Sequence, residues 1–136
     1  MNRKRILVVD DEPDFRELVT YILTAEGYEV IPAADGLEAL QQARWITPDL
    51  ILLDLMLPEL DGLSVCEILR RHPATARIPV IFVTACTSEP LRQYGLQNGA
   101  NCFLTKPIKQ RELVQWVQSV LLGSFNAPAP TAGGKK

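Results

Sequence analysis

The sequence predicts a doubly wound α/β fold, with a central parallel sheet and helices on both faces. Three observations carry that prediction. Five short apolar runs recur, and at least three are continuous rather than alternating, as suits strands buried on both faces. The stretches between the runs space their apolar residues as helices do. The connections are short, as expected where strand and helix alternate through one sheet.

ILVV (6–9) gives the first strand. Phe15, Leu18, Val19, Ile22 and Leu23 then share one helical face, with Pro13 near its start and Gly27 past its end. YEVI (28–31) is the second strand, and Gly36 after Ala-Ala-Asp fits the turn into a helix over 36–46. LILLDL (50–55) is the third strand, followed by Pro58, Gly62 and a helix over 62–71. VIFVT (80–84), a helix over 88–98 and CFLT (102–105) come next. Leu113, Val117, Val120 and Leu121 mark a closing helix. After Gly123 the text SFNAPAPTAGGKK follows that helix, too poor in large apolar residues for a core. The expected division is therefore a folded domain over 1–122 and a disordered tail or linker over 123–136.

A chain of 136 residues is one domain with a real core. Its net charge of −2 offers no basic field for nucleic acid or an anionic membrane, so neither is expected as a direct partner. The first apolar stretch is four residues long and runs into three acids, which is no signal peptide, and a cytoplasmic location is expected. Cys66, Cys86 and Cys102 form no CxxC pair and read as small buried thiols. His72, in RRHPATA, reads as a residue at a helix end.

In an open parallel sheet, ligands bind outside the carboxyl ends of the strands. The predicted strands end there in Asp10, Asp11 and Glu12, then Asp54, then Thr84, then Thr105 and Lys106. Carboxylates gathered on one rim repel unless a cation intervenes, and oxygen ligands with water suit Mg²⁺. Lys106 adds an ammonium and Thr84 a hydroxyl donor for an arriving anion. Together they make a site for phosphoryl transfer onto Asp54.

VVDDEPD, LLDLMLPELDG, VIFVTA and FLTKP, in this order and spacing, closely resemble the receiver domains of two-component response regulators. The likeness runs from about Arg5 to Leu122. It implies a flavodoxin-like sheet of five parallel strands in the order 2-1-3-4-5 with five helices around it. It implies that Asp54 accepts a phosphoryl group from a histidine kinase, a phosphotransfer protein or a small phosphodonor. Asp10, Asp11, Asp54 and the backbone carbonyl of Met56 would hold Mg²⁺, with Mn²⁺ as a substitute. Thr84 would be the switch hydroxyl, Lys106 the lysine that pairs with the phosphoryl group, and Phe103 the switch aromatic. Lys106–Pro107 would be a cis peptide. The protein would then be a phosphorylated signalling domain, catalysing only its own phosphotransfer and dephosphorylation. Its output would pass to another protein or domain through the fourth helix, fifth strand and fifth helix.

Rival functions fare worse. A phosphatase with an aspartate nucleophile needs a second acid two residues on, where Met56 stands. A flavodoxin-like cofactor binder must cradle phosphate in its first loop, and DDEPD would repel it. A receiver-like interaction module independent of phosphorylation is the remaining alternative. Plainer roles exist for single residues: Asp10 and Asp11 as helix caps, Phe103 as core, and Trp45 and Trp116 as packing or surface residues. GANCFLT and RELVQWVQSVLL lack the acid–base pattern by which many DNA-binding regulators dimerise, so a stand-alone domain or part of another multidomain regulator is expected. Trp116 and Tyr94, if outward, would contribute to a partner surface. Apolar Met56 and Cys86 beside the site suggest slow self-dephosphorylation.

Overall fold

A computed structural model describes residues 3–123. The elements follow in strict alternation: β1 (Arg5–Val9), α1 (Pro13–Ala25), β2 (Glu29–Ala33), α2 (Gly36–Ile46), β3 (Leu50–Leu53), α3 (Gly62–Arg71), β4 (Val80–Thr84), α4 (Glu89–Gln97), β5 (Cys102–Thr105) and α5 (Gln110–Leu122). The sheet order is β2-β1-β3-β4-β5, every pair parallel. The expected tail from residue 124 onward lies outside the described residues.

The continuous apolar runs are explained by two cores, one on each face. Leu7, Val9, Ile51, Leu53, Val80, Phe82 and Phe103 point to the side of α2 and α3. Their neighbours Ile6, Val8, Leu50, Leu52, Ile81, Val83, Cys102 and Leu104 point to α1 and α5. A strand alternates its side chains between faces, so burial on both sides demands an apolar residue at every position. Each fully buried Leu or Ile contributes about 1.5–3 kcal/mol relative to exposure.

Several boundaries and faces differ from expectation. β2 runs to Ala33 through Pro32, which an edge strand tolerates because one of its sides pairs with nothing. β3 stops at Leu53, so Asp54 follows the strand rather than sitting within it. Leu18 is half exposed and leaves the α1 core stripe to Val19, Ile22 and Leu23. Trp116 does not face outward: it is half-buried against the α1–α5 core. Tyr94 is partly exposed and donates its hydroxyl to Glu67 Oε2 at 2.9 Å. Cys66 and Cys102 are buried as expected, but Cys86 is only partly covered. His72 closes α3 as its C-terminal cap residue.

Two loops are fixed by side-chain caps that aim them at the same rim. Asp35 accepts from the Glu38 amide and starts α2, while Asp61 accepts from the Ser64 amide and starts α3. Gly62, the first residue of α3, passes so close to β3 that an added Cβ would meet the Asp54 carbonyl oxygen and the Leu55 Cα. Arg70 ties the opposite end of the molecule, donating to the carbonyls of Ala76, Ile78 and Gly99 at 3.2, 2.8 and 2.7 Å.

Candidate functional site

The parallel order brings the carboxyl ends of β1, β3, β4 and β5 side by side. Asp10 leaves β1 with its amide on the Ala33 carbonyl at 3.1 Å, and Asp54 leaves β3 with its amide on the Val9 carbonyl at 3.0 Å. Both side chains are buried; Asp11, between them and solvent, is exposed. One carboxylate oxygen from each of the three acids falls within 4.8 Å of the others. The helix-capping alternative fails for this pair: Glu12 occupies the N-cap of α1 and makes no side-chain cap bond.

Lys106 enters the cluster from the end of β5, where its amide donates to the Thr84 carbonyl at 2.8 Å. Lys106–Pro107 is cis, as the resemblance implied. The ammonium lies 2.7 Å from Asp10 Oδ2, 3.2 Å from Asp54 Oδ2 and 3.4 Å from Glu12 Oε1. Backbone amides hold the other oxygens of the two buried acids. Glu12 N–H donates to Asp10 Oδ1 at 2.9 Å, and Met56 N–H donates to Asp54 Oδ1 at 3.0 Å.

The electrostatics follow from this packing. Burial pushes the Asp10 carboxyl above its usual range, against the opposing pull of Lys106 and the Glu12 amide. Burial alone would lower Lys106, but the hydrogen bond to Asp10 and the charges of Asp54 and Asp10 outweigh it and hold the ammonium up. One ammonium among Asp10, Asp11, Glu12 and Asp54 leaves negative charge in excess. Hard oxygen donors, one of them open to solvent, fit a divalent cation such as Mg²⁺.

Thr84 is fully buried, and its Oγ1 accepts from the Cys86 amide at 3.2 Å. Phe103 faces the other way, into the α2–α3 core. Its ring centroid is 5.7 Å from that of Phe82, and the Arg92 guanidinium stands 6.0 Å over it. It is 4% exposed, so the ring is already inward. Met56 has an exposed side chain and no acid to offer. Two neighbours escaped the reading of the sequence. Arg16 reaches back from α1 to the Asp10 carbonyl at 2.6 Å, and the Phe15 ring lies beneath the Lys106 ammonium, 4.1 Å from centroid to Nζ. Only the first turn of α1, directly after the acids, hinted that they could reach the site.

A family model for the response regulator receiver domain matches residues 6–118. The chain belongs to this family. Among its curated relatives, the DNA-binding response regulator MtrA of Mycolicibacterium smegmatis is 42% identical over 127 residues, covering 93% of this chain and 54% of that protein. The chain thus spans about half the length of the curated relatives it matches. Among solved structures, a response regulator from Chloroflexus aurantiacus superposes with a TM-score of 0.84 at 37% identity, over 89% of this chain and 99% of that one. The receiver domain of a sensor histidine kinase from Pseudomonas aeruginosa, solved with magnesium ion in its active site cleft, gives 0.83 at 34% identity, over 90% and 100%. The matched residues therefore form a receiver domain of the kind found in signalling response regulators. No helix among the described residues is long and apolar enough to cross a membrane.

Proposed function

We propose that this receiver accepts a phosphoryl group on Asp54. The observation that carries the reading is the ammonium of Lys106 set 3.2 Å from Asp54 inside an acid triad. In the transfer, an Asp54 oxygen bonds to phosphorus as the phosphorus–nitrogen bond of a phosphohistidine breaks, its electron pair staying on the imidazole. With acetyl phosphate the phosphorus–oxygen bond breaks instead and acetate leaves. Mg²⁺, or Mn²⁺ in its place, held by Asp10, Asp11, Asp54 and the Met56 carbonyl, would offset negative charge on the transferring oxygens. Lys106 pairs with a phosphoryl oxygen, and the Thr84 hydroxyl turns from the Cys86 amide toward another.

Phosphorylation adds about −1.5 to −2 charges and strong acceptor oxygens at this rim. Movement of Thr84 pulls the loop before α4, and α4, β5 and α5 carry the change to an output protein or domain, with Phe103 coupled through its contact with Arg92. The donor is a histidine kinase or a phosphotransfer protein. Leu18 and Tyr21, exposed apolar residues on α1, the helix that follows Asp10 and Asp11, support a protein donor docking on that helix. The receiver unit is residues 1–122 in a cytoplasmic setting, where three free thiols stay reduced. DNA binding, part of the name of MtrA, belongs to a protein of which this chain matches half, and the receiver needs no nucleic-acid contact of its own. Self-dephosphorylation is slow, because Met56 and Cys86 offer attacking water little help.

The test is intact mass after incubation with acetyl phosphate and Mg²⁺, with chelator and Asp54→Asn as parallel arms. One phosphoryl group gained, and lost in both parallel arms, is expected. No gain, with Mg²⁺ shown to bind, would sink the reading in favour of an interaction module independent of phosphorylation.

A further inference from the structure

Phe15 is the half-buried aromatic of the first α1 turn, packed against the core shared by α1 and α5. The Lys106 ammonium sits over its ring at 4.1 Å from the centroid. That is well inside the ~6 Å range over which an aromatic face attracts a cation. The same ammonium meets Asp10, Asp54 and Glu12 on its other sides.

These contacts differ in what a metal does to them. Asp10 and Asp54 are carboxylates that a divalent cation would share, and a cation there repels a neighbouring ammonium. Lysine sits on a flexible four-carbon stem and is strongly hydrated, so a weakened ion pair favours its escape to water. The Phe15 ring has no oxygen to give a hard cation, so its attraction for the ammonium persists when the carboxylates are engaged.

We propose that Phe15 is a positioning residue for phosphoryl transfer: its ring face keeps the Lys106 ammonium beside Asp54 once a divalent cation takes up the carboxylates. The inference rests on the reading of Asp54 as phosphoacceptor. It gives a role in the site to a side chain whose spacing marks it only as core. The ring shares one loop and one helical turn with Asp10, Asp11 and Glu12, so the seat moves with these three acids, while Asp54 comes from the end of β3.

The experiment uses the full chain, its Phe15→Leu and Phe15→Tyr variants, and acetyl phosphate with Mg²⁺. Leu keeps an apolar body without a π face, and Tyr keeps the face. Phe15→Leu is expected to slow phosphorylation by about two- to thirtyfold, while Phe15→Tyr stays within about twofold of the parent. A spectroscopic arm does not depend on activity. In NMR spectra the Lys106 ε-methylene protons should be shifted upfield by the ring, with and without Mg²⁺, and should lose that shift in Phe15→Leu. An unchanged rate in Phe15→Leu, an equal fall in Phe15→Tyr, or no upfield shift in the Mg²⁺-bound parent would each overturn the proposal. If Phe15→Leu fails to fold, the parent spectra with and without Mg²⁺ still decide it. A parent chain that gains no phosphoryl group would instead overturn the assignment of Asp54, leaving the spectra to decide whether the ring holds the lysine.

Discussion

The Lys106 ammonium lies 2.7 Å from Asp10 Oδ2, joining residues 96 positions apart and linking the end of β5 to the end of β1. This pair neutralises a buried acid before any metal arrives, and its removal should be felt in stability. Lys106→Met would leave Asp10 and Asp54 facing each other uncompensated. A loss of about 3 kcal/mol is expected in urea unfolding with chelator present. Added Mg²⁺ should recover more stability in the variant than in the parent, because no ammonium competes for the carboxylates. Equal stability of the two proteins in chelator would show that the lysine is not neutralising the cluster.

The close approach of α3 to β3 makes Gly62 a second control on Asp54, the proposed phosphoacceptor. Gly62→Ala would press a methyl group into the backbone of Asp54 and Leu55. We expect a cost of about 1–3 kcal/mol, read as a lowered thermal midpoint. Phosphorylation by acetyl phosphate should slow as well, since the chain that must give way is the one carrying Asp54. A folded variant with an unchanged rate would show that the strain is absorbed elsewhere.

Arg70 gathers three carbonyls from two separate loops. Arg70→Met keeps much of the stem and strands those acceptors, with an expected loss of about 2–3 kcal/mol. Lysine cannot reproduce a planar fork of donors, so Arg70→Lys should recover less than half of the loss. Denaturant midpoints for the three proteins check this, and full recovery by lysine would count against the geometric account.

Alkaline stability should report Cys102. Burial pushes its thiol from the ordinary value of 9.0 up to about 12. As pH rises, the unfolded chain therefore loses that proton first, and stability falls from about pH 9 toward about pH 12. Cys102→Ala removes this contribution, so its deficit relative to the parent should shrink by about 1 kcal/mol between pH 8 and pH 10. Cys66 is raised in the same direction by burial and remains in both proteins. A constant difference across that range would mean that the Cys102 thiol ionises as easily folded as unfolded.

Much of this molecule was legible in its text because burial on both faces of a parallel sheet leaves few choices at each strand position. The acids and Lys106 stood out for the complementary reason: each interrupts or ends a run that is otherwise apolar. What stayed hidden depends on residues far apart in the chain. Periodicity put Leu18 and Phe15 on one helical face, yet Leu18 looks to solvent and Phe15 turns to a lysine just past the last strand. Trp45, with 88% of its surface exposed, and half-buried Trp116 have the same side chain and opposite surroundings, which local spacing cannot distinguish. The reach of Arg70 to three loop carbonyls has no local signature either.

The separation of the site's parts along the chain has a consequence for synthesis on the ribosome. Asp10 and Asp54 emerge early, and Lys106 emerges only after β4 and α4 have been made. Until β5 is added at its edge, the growing polypeptide carries the acids without the ammonium that offsets them. A nascent chain halted before that point should therefore hold its carboxylates uncompensated and lack the lysine that the proposed transfer uses. On the proposed function, the signal is written only on a finished receiver.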